Sequence, residues 1–209
     1  MKIERNWLFV ETPWLTPAVQ CVDDLNKNHD LELVFAEGTS GGEITLFFSG
    51  DASAVSTAHK ELSAEGKLHF ENFTVRKVLN PDPSSDHVIA SRQSINGITE
   101  NREIMKDTSS TNKRIVDHEW QAIGILETQG LASVLDATDA MVKAAEVDIV
   151  RKEKIGAAYV SIFIRGTLAN VANAIESGSR HVEAHGGKLI DSRVISRPHP
   201  DLIEMITTG

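Results

Sequence analysis

The sequence predicts an α+β protein built from two tandem copies of one small domain, each in the order β-α-β-β-α-β, the ferredoxin-like pattern. Three observations predict it. One half of the chain repeats the other in a fixed register, helical and strand periodicities follow one another in the same order in both halves, and a polar stretch separates them.

The repeat comes first. Trp7–Ala58 lies over Ile123–Ala174 at a constant offset without a gap. Identical residues fall at Glu11/Glu127, Thr12/Thr128, Leu15/Leu131, Asp23/Asp139, Lys27/Lys143, Val34/Val150, Phe47/Phe163, Gly50/Gly166, Val55/Val171 and Ala58/Ala174. Apolar residues also replace apolar ones, as at Leu33/Ile149, Ile44/Val160, Leu46/Ile162 and Phe48/Ile164. Beyond Ala58 a gap is required, after which Gly66–Leu68 meets Gly187–Leu189.

Copy two is the more regular. Ala122–Glu127 is a short apolar strand. Leu131, Val134, Leu135, Thr138, Met141, Val142 and Ala145 recur at helical spacing, with Asp136, Asp139 and Lys143 between them. Val147–Arg151 alternates apolar and polar, as a half-buried strand does. Tyr159–Arg165 is β-branched and aromatic, hence a strand, and Gly166 turns the chain. Val171, Ala174 and Ile175 begin a second helix that Gly186 and Gly187 stop. Leu189–Ser196 is the last strand, which Pro198 and Pro200 prevent from extending.

Copy one repeats this more roughly, with Pro13 and Pro17 at the start of its first helix, where a missing N–H costs little. Ser91–His118 is polar and of mixed charge, compatible with a short helix near Glu100–Lys106. The expected division is a first domain over 1–88, a linker over 89–119 and a second domain over 120–209.

The 209 residues suit two small domains, and 41 % hydrophobic residues suffice for two cores. A net charge of −9 argues against nucleic acid or an anionic membrane as a bulk partner. No apolar run approaches the roughly 20 residues of a membrane helix, and Met1–Phe9 has no signal-peptide core, so a cytosolic protein is expected. The one cysteine, Cys21, can build neither an internal disulfide nor a four-cysteine metal site, and it falls inside the first helix, where a buried thiol is expected.

Five ordered blocks in copy two carry a resemblance: Ala122–Gly130, Asp139–Ala145, Glu153–Gly156, Ile164–Gly166 and Arg197–Leu202. Together they resemble the shell domain of bacterial microcompartments. The repeat then makes Trp7–Pro83 a diverged second copy, so the chain looks like a tandem-domain shell protein. Each copy begins with its Glu-Thr strand, which resembles the unpermuted form.

The resemblance implies a homotrimer, a pseudohexameric tile of six domains that packs edge to edge with other shell proteins and passes small metabolites through a central pore. It places the loop between the second and third strands of each copy at that pore. These are Gly38, Thr39, Ser40, Gly41 and Gly42 in copy one, and Lys154, Ile155, Gly156, Ala157 and Ala158 in copy two. Read without the family, each loop is an ordinary tight turn in which glycine supplies positive φ. The resemblance also puts Lys27, Lys143, Arg197 and His199 at the contact between tiles. Copy one departs from it, with Asn80 where Arg197 aligns and Asp82 where His199 aligns.

No catalytic set is found. Glu11 and Glu127 end strands in separate domains with no nucleophile beside them and read as structural. His181 and His185 share a helical face, but with His199 they lack a third ligand at clear spacing, so no metal and no cofactor are expected. Two other readings are carried. One is an oligomeric ferredoxin-like regulatory protein binding a small effector between subunits. The other is an enzyme, which would need a convergent titratable cluster that the sequence lacks.

Overall fold

The computed structural model describes residues 6–38, 41–64, 73–81 and 120–208. The segment expected to be the linker, the helix expected near Glu100–Lys106, and Gly66–Leu68 lie outside these residues.

Copy one runs β1 (Asn6–Thr12), α1 (Leu15–Asn28), β2 (Leu31–Gly38), β3 (Ile44–Gly50), α2 (Ala52–Ser63) and β4 (Thr74–Leu79). Copy two runs β5 (Ala122–Gln129), α3 (Leu131–Ala144), β6 (Asp148–Ile155), β7 (Tyr159–Gly166), α4 (Leu168–Ala184) and β8 (Lys188–Ser196), followed by α5 (Pro200–Thr208). Each copy forms a four-stranded antiparallel sheet, in the orders β2-β3-β1-β4 and β6-β7-β5-β8. The repeat therefore extends to topology. Strand β4 sits one residue off the sequence offset: Asn6 faces Leu79, while its counterpart Ala122 faces Ser196.

Alternation along the strands divides the second sheet into two apolar faces. Ala122, Leu126, Ile162 and Ile164 lie under α3 and α4 with Val134, Met141, Val171 and Ile175. Ile123, Ile125, Phe163 and Ile195 face the other way, into a core shared with Leu202 and Ile206 of α5 and with Leu8, Val19, Val22 and Phe48 of copy one. The two domains thus share one continuous core. Helices α3 and α4 approach closely at Gly178, where a Cβ would fall 2.6 Å from Cγ of Met141.

Helix α5 lies outside the β-α-β-β-α-β pattern that the sequence predicts. Pro198 and Pro200 do end β8, but Pro200 also occupies the first position of a helix, where its fixed φ is favourable and its missing N–H is not needed. Asp201 follows in the first turn, and Nδ1 of His199 accepts the amide of Asp201 at 3.3 Å. Strand β6 also runs past the expected Arg151, through the charged run Lys152–Lys154. Arg151, Lys152 and Glu153 are buried there. Arg151 pairs with Glu153 and donates to the carbonyls of Met205 and Ile206 at 3.3 Å, holding the end of α5.

Candidate functional site

Two places bring the sequence-selected residues together: the junction of the domains and the loop tips. At the junction, α1 lies along copy two. Its N-terminus has no side-chain cap of its own, since Trp14 occupies the N-cap position. Glu127, fully buried at the end of β5, supplies the missing acceptor. Its Oε2 takes the amide of Thr16 at 3.1 Å and the hydroxyl of Thr16 at 3.0 Å, and its Oε1 takes the amide of Leu15 at 3.4 Å. The glutamate read as structural therefore caps a helix of the other domain. Burial pushes its carboxyl above the ordinary range, those hydrogen bonds pull it partly back, and Asp191 adds to the rise.

The far end of α1 meets the β8–α5 corner. Asp23 is buried and accepts the amide of His199 at 2.8 Å. Asn26 donates to Asp201 at 2.6 Å, and Lys27 donates to the carbonyl of Ser196 at 2.9 Å while pairing with Asp23. Lys27 and His199 thus sit where the domains of one chain meet, beside the exposed Arg197. Lys143 stands on α3, exposed and paired with Asp139. Arg197 has φ 47°, and Asn80 at the matching position has φ 48°, so the left-handed corner survives the change of side chain.

The faces of α1 and α3 differ in one respect. Leu15 and Val19 are 5 % and 0 % exposed, whereas their counterparts Leu131 and Leu135 are 39 % and 48 % exposed. Val142 is exposed where Asn26 is buried, and Asp139 is exposed where Asp23 is buried. The surface that covers α1 has its own counterpart in copy one, where Trp7 and Phe47 are buried among Phe9, Val34 and Phe35 but the strand end and the β4 edge are open. Glu11 is exposed, as are Val78 and Leu79 on β4, while Ile195 opposite Ile123 is buried. The N-cap of α3 is Gly130, without a side-chain cap.

The loop tips are tight. In copy two, Tyr159 N donates to Gly156 O at 3.1 Å, and the two residues between them, Ala157 and Ala158, have φ of 55° and 64°. This is the geometry of a type I′ turn, which favours Asn-Gly. The positive φ expected at glycine is carried by two alanines instead. The exposed tip is Ala157–Ala158, with Gly156 and Lys154 half-buried. Ile155 turns into the core of the single chain: as the last residue of β6 it faces Tyr159, and alternation sends its side chain inward. In copy one, Gly38 ends β2, Gly41 is exposed and Gly42 is buried at φ 92°, where a Cβ would sit 3.1 Å from the Tyr159 ring. The two loops are therefore neighbours. Thr39 and Ser40 lie outside the described residues. Cys21 is buried as expected, its thiol pushed up by desolvation and by Asp24.

A family model of the BMC domain matches the chain twice, over residues 9–82 and 122–198. The chain belongs to the bacterial microcompartment shell-domain family, in tandem form. Among its relatives, the carboxysome shell protein CsoS1C of Hydrogenovibrio crunogenus is 38 % identical over 88 residues, covering 42 % of this chain and 86 % of the relative. The carboxysome shell protein CcmK1 of Thermosynechococcus vestitus is 40 % identical over 82 residues, 39 % of this chain and 73 % of the relative. A solved microcompartments protein from Desulfitobacterium hafniense DCB is 21 % identical, covers 95 % of this chain and 98 % of its own, and superposes with a TM-score of 0.39. Membership makes the chain a structural component of a microcompartment shell and not an enzyme. No described helix is long and apolar enough to cross a membrane.

Proposed function

We propose that three chains close head to tail into a ring of six domains, a shell tile with the loops of both copies around a central pore for small metabolites. One observation carries the reading. The contact that buries α1 against copy two within a chain has both of its counterparts left open, α3 on one side and the Glu11–β4 surface on the other. An interface between two different surfaces of repeated units, repeated at the same angle, generates a ring when the rotation closes. In such a ring Glu11 caps α3 of the next chain as Glu127 caps α1, and Leu131, Leu135 and Val142 are covered by Val78, Leu79 and their neighbours.

The loop tips then meet at the axis in alternation. Ala157 and Ala158 from each chain offer small side chains and backbone groups, and Gly38, Thr39, Ser40, Gly41 and Gly42 line the passage between them. A pore of this kind selects by width and by its lining donors and acceptors. At the rim, Lys27 and Arg197 form one corner within a chain, with His199 behind them. Lys143 and Asn80 of neighbouring chains form the other. Tiles with two kinds of corner pack edge to edge with other shell proteins in a defined orientation.

Light scattering after size exclusion tests the ring. The reading expects three chains, or six where two tiles stack, and a stable single chain or a two-fold dimer overturns it.

A further inference from the structure

Helix α3 carries a carboxylate that the sequence alone does not connect to the histidines of α4. The close crossing at Gly178 brings Asp136 against His181 and His185. One ligand atom from each of the three lies within 4.8 Å of the others. From this geometry we propose that Asp136, His181 and His185 form a binding site for a divalent first-row transition-metal ion such as Zn2+ or Ni2+, one per chain.

The arrangement of the donor atoms supports it. His181 and His185 are one helical turn apart, with stacked rings whose centroids are 4.0 Å apart, so they present the same face. Nδ1 of His185 lies 2.9 Å from the carbonyl oxygen of His181. Donation from Nδ1–H to that oxygen fixes the tautomer with its lone pair on Nε2, the pattern by which backbone carbonyls orient metal-bound imidazoles. Nε2 of His181 is shielded from solvent and lies 2.9 Å from Oδ2 of Asp136, yet it has no aligned hydrogen-bond partner. An ion placed between those two atoms and His185 satisfies both. Two imidazoles and one carboxylate suit zinc, nickel, cobalt or copper; Mg2+ and Ca2+ prefer all-oxygen sites. Water completes the coordination, since Asp136 and His185 are exposed.

The site belongs to copy two alone. Gln20 stands on α1 where Asp136 stands on α3, and it donates to Asp24 instead. A bound ion would tie α3 to α4 on the side of α3 away from its open apolar face, stiffening the helix that the proposed ring presents to the next chain. Ligation itself needs only α3 and α4, so it does not depend on the ring.

The test uses the full chain, stripped of metal and titrated with Co2+ followed by visible absorption, then with Zn2+ by calorimetry and thermal unfolding. One ion per chain is expected, with tetrahedral d–d bands and a Tm rise of roughly 5–10 °C at Zn2+ one hundred-fold above Kd. His185→Ala and Asp136→Asn change exposed side chains and leave the fold intact by circular dichroism. Each should weaken binding by more than the roughly 10–100-fold that loss of a supporting partner costs. Wild-type protein without saturable binding overturns the proposal, as does binding that survives His185→Ala and Asp136→Asn unchanged.

Discussion

Replacing Glu127 by alanine leaves the first turn of α1 without its acceptor. Two well-placed donors, the amide and hydroxyl of Thr16, lose a partner in a buried place, and the amide of Leu15 loses a longer bond. A buried donor left unpaired costs about 1–3 kcal/mol. Relief from burying a carboxyl beside Asp191 returns part of that, so the net loss is about 2–3 kcal/mol. For a chain of this length that lowers Tm by roughly 5–10 °C. Glu127→Gln keeps an acceptor oxygen and resembles the protonated acid. Because the folded carboxyl titrates above its ordinary 4.5, the folded state binds the extra proton, so the contribution of Glu127 is fully present below pH 4.5 and is lost as pH rises through the folded value. The glutamine variant therefore matches the parent near pH 4 and gains on it toward pH 8. Urea unfolding across that range, with hydrogen exchange at Leu15 and Thr16, reads both effects. A Glu127→Ala protein within 0.5 kcal/mol of the parent, with those amides still protected, would refute the capping argument.

Three further outcomes follow from the same geometry. Glu11→Ala leaves the secondary structure of the chain unchanged by circular dichroism but shifts assembly to higher protein concentration in sedimentation velocity, since its proposed partner lies on another chain. Leu135→Glu places a charge on the open face of α3 and yields single chains by light scattering without loss of helical signal. Ala158→Gly relieves a left-handed alanine and stabilises the protein by about 1 kcal/mol in urea unfolding, whereas Ala158→Val, β-branched at positive φ, destabilises it.

The repeat made most of the architecture legible, because residues that occupy equal places in two sheets are constrained in the same way. Leu15 and Leu131 share a helix position, and Phe47 and Phe163 share a strand position, so the fixed offset carried the topology. What the sequence concealed depends on contacts between distant segments. The charged run Lys152–Lys154 lies beyond the strand that alternation predicts, yet β6 continues through it, with Arg151 held by Glu153 and by the carbonyl end of α5. Pro200 reads as a stop and serves as a start. Glu127 could be identified as repeated and non-catalytic, but its capping role belongs to a helix more than a hundred residues away. Asp136 joins His181 and His185 only through the packing of α3 on α4, which spacing along the chain does not reveal. The loop tips follow from the family resemblance and the register of the repeat, while the left-handed alanines have no signal, since alanine is not a residue that such turns favour.

The head-to-tail ring is tested most directly by its one new contact. Glu11→Cys and Ala132→Cys in the same chain place thiols at the open strand end and at the start of α3, and native Cys21 is buried and does not compete. Treatment with a short bis-maleimide should join neighbouring chains into species of two and then three chain masses, with three as the limit. A product that stays at one chain mass under conditions where the protein is assembled, or that extends without limit past three, would contradict the closed trimer.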